Sequence, residues 1–382
     1  MSFQRSAMEN PRAEVIKAIE QRDPAYVPAW YSFFAGETRE RYGDRLRHLL
    51  AGYDDDLVFA ILSTFPPAAE RPHGWTDEWG CSWAHPPDGV GSVSIDSPLY
   101  QSWERLPWYL KHGLPELGKR TDLLDRVSTA RADKPERYLV ATTWLAVFER
   151  LRALRGTENL LLDLYLHPEE LGILRDAVME EFLDQIRGIA TRGADGVLLA
   201  DDFGTQTAML LSPDHWRVFF RPCYQRMIAE IHALDMHAWF HSCGNVRAII
   251  PDLIEIGADV LHPLQPSAMD LAEIRQTFGG QVCFAGAVDV QALLPVADSE
   301  HVASEIRRLI DLLDGPHGGY ILAPTNSIMP DTPFDNIEAM CWAMREYGRQ
   351  KRQAKPNLPS PPPSPQRGEG ASSLSLTGRG LG

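Results

Sequence analysis

His237-Ala238-Trp239-Phe240-His241-Ser242-Cys243-Gly244 is a short, largely apolar run that ends abruptly in polar groups and a glycine. The run His237 to Phe240 is too short for a core helix and suits a buried strand, and Gly244 allows a sharp turn into the amphipathic stretch that follows. The same unit recurs along the second half of the chain. Val197-Leu198-Leu199-Ala200, Val260-Leu261, Val282-Cys283-Phe284-Ala285 and Tyr320-Ile321-Leu322-Ala323 read as further strands. Helical stretches separate them. One starts at the cap signal Ser212-Pro213 and runs through Phe219, Phe220 and Ile228; another covers Val246 to Ile256, with Ile249, Ile250, Leu253 and Ile256 on one face. Repeated strand and helix units of this kind predict a parallel sheet.

The first half is less regular. Val27-Pro28-Ala29-Trp30-Tyr31 before the charged stretch Glu37 to Leu50, and Tyr138-Leu139-Val140 before Leu145 to Leu154, read as two more units. Together the units imply an α/β fold closed as a (β/α)8 TIM barrel. Residues 71–108, with Trp75, Trp79, Trp83, Trp103 and Trp108, read either as a Trp-rich cap insertion over the barrel mouth or as a packing layer. Residues 1–350 are expected to form the barrel domain. Residues 351–382, which include Pro359-Ser360-Pro361-Pro362-Pro363-Ser364-Pro365, are expected to be a disordered tail.

At 382 residues and 44% hydrophobic, the chain can bury a large core. Its net charge of −15 and its lack of a basic stripe argue against nucleic acid as a partner. No run approaches the ~18 apolar residues of a membrane helix, and the N-terminus lacks an apolar leader. A cytoplasmic location is expected. An odd number of cysteines, at 81, 223, 243, 283 and 341, fits a reduced compartment rather than a disulfide framework.

Barrel enzymes place their working groups where strands end. The candidates here are Asp201 and Asp202, His241 and Cys243, His262 and Gln265, Gly286 and Asp289, and Thr325, Asn326 and Ser327. His241 and Cys243 stand two residues apart and would point to the same side of a strand. A thiol and an imidazole are ligands that zinc favours, and a catalytic zinc uses three protein ligands with one position open. The third ligand is not evident from spacing, although Asp202 could supply an oxygen; Cys243 could equally be a small buried hydrophobe. The pair Asp201-Asp202 reads either as function, with one carboxylate as general acid/base or metal ligand, or as structure, capping the next helix or closing a turn with Gly204; adjacent strand residues face opposite ways, so at most one should face the site. Gly286 before Asp289 reads as a tight strand-to-helix connection, since no Gly-rich phosphate fingerprint surrounds it.

With these motifs the chain resembles the uroporphyrinogen decarboxylase superfamily, from about Val27 to Tyr347. The resemblance is carried by Leu199-Ala200-Asp201-Asp202-Phe203-Gly204 with Ser212-Pro213, by His241-Ser242-Cys243-Gly244, by Phe284-Ala285-Gly286-Ala287-Val288-Asp289, and by Ala323-Pro324-Thr325-Asn326-Ser327-Ile328 with Asp331-Thr332-Pro333 and Asn336-Ile337. It implies a (β/α)8 barrel. The decarboxylase branch carries an arginine-bearing stretch near its first strand, where this chain reads Trp30-Tyr31-Ser32-Phe33-Phe34-Ala35-Gly36. The catalytic aspartate of that branch falls near Ser63-Thr64 and a histidine falls at Asn326, so a polyanionic porphyrinogen lacks its cationic partners here.

The zinc- and corrinoid-dependent methyltransferase branch matches better at His241 and Cys243, and its second cysteine falls at Asn326. That resemblance implies Zn²⁺ on His241 and Cys243, with Asp202 as third ligand or proton acceptor and Gln265 and Asn326 binding a small-molecule substrate. It also implies a methyl-corrinoid donor or acceptor on a corrinoid protein, and a possible homodimer. The alternatives are a metal-free decarboxylase or lyase with Asp201 or Asp202 as proton donor, and a barrel that binds without catalysis.

Overall fold

The computed structural model describes residues 10–65, 74–84, 92–143 and 145–353. Among them, ten strands form two sheets: β1 (Leu57–Ile61), β2 (Gly74–Thr76), β3 (Ser82–Ala84), β4 (Val93–Asp96), β5 (Tyr138–Thr142), β6 (Gly196–Ala200), β7 (His237–His241), β8 (Val260–Leu264), β9 (Cys283–Val288) and β10 (Tyr320–Pro324). Seven are parallel neighbours in the order β1-β5-β6-β7-β8-β9-β10. The strands expected from 138, 197, 237, 260, 282 and 320 are therefore all present. Leu57–Ile61 is a strand that periodicity does not single out, because a short apolar run without alternation reads equally as helix.

Residues 27–30 fill the gap between β10 and β1. Trp30 N–H donates to Leu322 C=O at 2.9 Å, Leu322 N–H to Pro28 C=O at 2.8 Å, and Asp56 N–H to Ala29 C=O at 3.0 Å. The segment bridges rather than forms a full strand, since Pro28 has no N–H to give. Carboxylates make up the difference: Asp56 accepts from Ala29 N–H and from the Tyr26 hydroxyl, each at 2.9 Å, and Asp55 accepts from Tyr31 N–H at 2.5 Å. The parallel sheet thus curls into a barrel of the expected TIM type.

Alternation along the strands divides the core in two. Tyr138, Val140, Leu198, Trp239, Val260, Cys283, Ala285 and Ile321 fill the lumen, and Val15, Ala18 and Ile19 of the helix Pro11–Ile19 close its lower end. Leu139, Val197, Leu199, Phe240, Phe284 and Leu322 face the surrounding helices. Each large side chain buried this way contributes ~1.5–3 kcal/mol. The helix expected after Ser212 is present, with Ser212 Oγ accepting from His215 N–H at 3.2 Å. No described helix is long and apolar enough to cross a membrane.

Most of the Trp-rich insertion is described; residues 71–73 and 85–91 lie outside the described residues. It belongs to the connection that leaves the C-terminal end of β1, the end where barrel active sites form. Asp77 organises it. Its carboxylate accepts from Trp79 N–H at 3.0 Å, Cys81 N–H at 2.9 Å, the Trp83 indole at 2.9 Å and Arg150 at 2.6 Å. The Arg150 guanidinium in turn lies 4.8 Å from the Trp79 ring centroid. Trp79 and Trp83 are buried packing residues, so this part of the insertion is a packing layer against the helix Val147–Arg155. The tail expected from 351 lies outside the described residues from 354 onward, and the helix Phe334–Gln353 runs up to that point.

The Asp77–Arg150 pair is almost fully buried on both sides. Asp77→Ala should lower stability in urea unfolding by about 3–5 kcal/mol, because it strands a buried guanidinium and three donors. Removing both charges in Asp77→Leu with Arg150→Met should cost less than the sum of the single changes.

Candidate metal centre

Strand register places the site. Ala200 pairs with His241 across β6 and β7, so Asp202 and Cys243, each two residues further, continue level with one another on the inner side. The spacing of a single segment cannot supply that relation between two strands. Beyond the strands the two chains stay together through a close approach of glycines. A Cβ on Gly244, whose φ is +79°, would meet Gly204 carbonyl carbon at 2.4 Å, and one on Gly204 would meet Cys243 O at 2.5 Å. Only glycine at both positions lets the backbones touch. The contact is then stitched by hydrogen bonds from Phe203 N–H to Ser242 Oγ at 2.9 Å, Cys243 N–H to Asp202 Oδ1 at 2.8 Å and Asn245 N–H to Thr205 C=O at 2.7 Å.

Three candidates meet at this point. His241 Nε2 lies 3.5 Å from Asp202 Oδ1 and 3.6 Å from Cys243 Sγ, and the donor atoms of the three residues all fall within 4.8 Å of one another. A carboxylate oxygen, an imidazole nitrogen and a thiol sulfur form a set that zinc accepts. Asn326 borders it. Its Nδ2 donates to Cys243 Sγ at 3.5 Å while its Oδ1 accepts from Ser327 N–H at 2.7 Å, so the amide presents a donor, not a lone pair, to the sulfur. Gln265 braces the turn by accepting from Gly244 N–H at 2.9 Å, and its Nε2 reaches Ser267 at 3.1 Å and Gln291 at 3.3 Å.

Asp201 points the other way. Its carboxylate is buried in the barrel wall, accepting from Phe148 N–H at 3.0 Å, from Glu149 N–H at 2.7 Å and from the Tyr224 hydroxyl. It caps the helix Val147–Arg155 from a different strand and does not reach the His241–Cys243 group. Burial pushes its pKa up to about 7, although those three donors pull it down. Asp289 likewise closes a turn, accepting from Gln291 and Ala292 N–H at 2.7 and 2.9 Å.

The electrostatics follow from crowding. Desolvation acts to lower His241, but Cys243 and Asp202 outweigh it and raise the imidazole to about 10. Desolvation acts to raise Asp202, but the His241 proton and the Cys243 N–H outweigh it and hold the carboxyl at about 2. Spacing along the chain gave no signal for Glu149, which lies on a helix of another unit. Asp202 N–H donates to its carboxyl, Arg152 lies 3.0 Å away, and burial raises its pKa to about 8. His262, expected at a strand exit, lies inside β8 because that strand continues to Leu264, and its Nδ1 lies 2.7 Å from His241 Nδ1.

Residues 93–347 match the model of the uroporphyrinogen decarboxylase (URO-D) family, more than half of the chain. Among curated relatives, a methylcobamide:CoM methyltransferase MtaA of Methanosarcina barkeri is 27% identical over 173 residues, 45% of this chain and 48% of that protein. A uroporphyrinogen decarboxylase of Magnetococcus marinus is 26% identical over 195 residues, 48% of this chain and 51% of that protein. The chain thus spans about half the length of the curated relatives it matches. A solved methyltransferase from Methanosarcina mazei has the same fold, with a TM-score of 0.67 and 17% identity over 88% of this chain and 98% of that one. With its barrel and its family match in agreement, the chain belongs to the uroporphyrinogen decarboxylase family.

Proposed function

We propose that this protein is a metal-assisted methyltransferase that moves a methyl group between a small substrate, a thiol or a methylated compound, and a corrinoid carried by a partner protein. Asp202, His241 and Cys243 would hold a Zn²⁺ ion, leaving one position open. The observation that carries this reading is the convergence of oxygen, nitrogen and sulfur donors within 4.8 Å at the ends of adjacent parallel strands. Similarity to the methylcobamide:CoM methyltransferase supports it. When bound, zinc acts as a Lewis acid that lowers the pKa of a substrate thiol or polarises the atom giving up its methyl group.

The chain's own residues supply the rest. Asp202 serves as third ligand and, through Cys243 N–H, fixes the turn that presents the sulfur. Asn326 donates to that sulfur and moderates its charge. Gln265, with Gln206, Ser267 and Gln291, offers a rim of neutral hydrogen-bonding groups suited to a small polar substrate. Glu149 keeps a proton near neutrality beside Asp202 and can lend it to a substrate atom. A cytoplasmic setting suits five free cysteines. The metal-free decarboxylase alternative would draw on Asp201 or Asp202 as proton donor, yet the Asp201 carboxylate already accepts from Phe148, Glu149 and Tyr224, and Asp202, held at about 2, carries no proton to give. The geometry therefore favours methyl transfer.

Protein purified without chelator should contain about one zinc per chain, as three convergent ligands imply. His241→Ala and Cys243→Ala should each weaken zinc binding by ~100-fold or more, since even outer partners of a zinc site cost 10–100-fold. Asn326→Cys should tighten it by adding a thiolate. Transfer of a methyl group from methylcobalamin to a thiol, lost with Cys243→Ala, would support the assignment. Carbon dioxide release from a porphyrinogen, or neither activity with no zinc bound, would sink it in favour of a decarboxylase or a binding protein.

The metal-free protein should also show a definite pH dependence. His241 is raised from an ordinary 6.5, so its attraction to Asp202 and Cys243 is fully present below that value and is lost as pH rises through about 10. Asp202 is depressed from 3.8, so its contribution is present above that value and is lost as pH falls through about 2. In thermal melts without metal, the stability difference between the unaltered protein and His241→Gln should be largest between the ordinary values of 3.8 and 6.5, shrink as pH rises from 6.5, and be gone above about 10.

A further inference from the structure

We propose that His262 is a positioning residue for His241: it accepts a hydrogen bond from His241 Nδ1–H and so fixes the tautomer and ring orientation that turn the Nε2 lone pair toward Asp202 and Cys243. The proposal rests on reading those three residues as a metal site. Its starting point is geometric. His241 and His262 are register partners on β7 and β8, and their Nδ1 atoms lie 2.7 Å apart. One nitrogen of such a pair must donate and the other accept.

Ligand chemistry decides which. His241 Nε2 is the nitrogen that faces the cluster, 3.5 Å from Asp202 Oδ1 and 3.6 Å from Cys243 Sγ. To bind a cation it must carry no proton, so the proton of His241 sits on Nδ1 and is given to His262. The acceptor role then forces the proton of His262 onto its own Nε2. That atom is buried and makes no close hydrogen bond among the described residues, and the Pro324 carbonyl is the backbone group that favours a proton on the ring. Packing holds the ring in place. His262 is 5% exposed, the Trp30 and Phe33 rings lie 6.0 and 6.5 Å from it, and its backbone carbonyl accepts from Ser242 N–H at 2.9 Å. Trp30 stacks between Phe33 and Phe59, at 4.2 and 4.1 Å, so the barrel-closing segment itself supports the imidazole pair.

The test compares two replacements. His262→Asn keeps an acceptor near the Nδ1 position, whereas His262→Leu keeps bulk without one. Zinc affinity, read by competition with a chromophoric chelator, should fall by ~10–100-fold in His262→Leu and stay close to the unaltered protein in His262→Asn. The visible spectrum of the cobalt(II)-loaded protein should change in His262→Leu alone. Equal affinity and identical cobalt spectra in all three proteins would overturn the proposal, and so would an equal loss in both variants, which would mean packing rather than the hydrogen bond. Nitrogen-15 NMR of histidine-labelled, metal-free protein gives a reading independent of loading: His262 should be protonated at Nε2 and bare at Nδ1. The opposite tautomer overturns the proposal. The expected tautomer in a protein that takes up neither zinc nor cobalt would support the hydrogen bond while sinking the metal reading.

Discussion

The backbone contact between Gly204 and Gly244 is the constraint on which the candidate site depends. In a parallel sheet the strands fix spacing only as far as their ladder extends, and β6 and β7 end at Ala200 and His241. Beyond that point loops normally diverge. Here two residues without side chains let the chains remain in contact, and the hydrogen bonds of Phe203, Cys243 and Asn245 hold them there. Asp202 is consequently a neighbour of Cys243 rather than a residue on a separate loop. Any Cβ at either glycine would push against backbone, which cannot yield as a flexible side chain can.

The helix Val147–Arg155 links this centre to the insertion above it. Its first turn lacks a cap of its own and receives one from Asp201, so a single strand end sends one aspartate into the wall and the next into the lumen. Adjacent residues on the helix are divided in the same way: the Glu149 carboxyl accepts from Asp202 N–H, and Arg150 grips Asp77. The placement of the site and the placement of the insertion therefore share one short rigid element. Burial of these polar groups at the first turn makes that element intolerant of small shifts, because each carboxylate depends on donors held at fixed positions.

Around the His241–Cys243 group stand amides, carboxylates and a thiol, and Arg152, the cation near Asp202, is paired with Glu149. Such a lining suits a cation and a small neutral ligand better than a substrate of many carboxylates. Asn326 turns an amide hydrogen, not a lone pair, toward the sulfur.

Much of this was legible along the chain. The apolar runs with polar exits gave six barrel strands, the parallel order and the end of the barrel to examine, because burial on both faces leaves a composition signal in each strand separately. Leu57–Ile61 escaped, having no alternation, and Pro28 disguised the closing segment by removing a donor. His241 and Cys243 were recognisable together because a strand puts alternate residues on one side. The choice between Asp201 and Asp202, the contact of Asn326 with the sulfur, the proximity of Glu149 and the pairing of His262 with His241 were decided only in three dimensions. Each depends on the register between two separate strands or on a helix from another unit, and a single sequence carries no record of which of its distant segments will lie side by side.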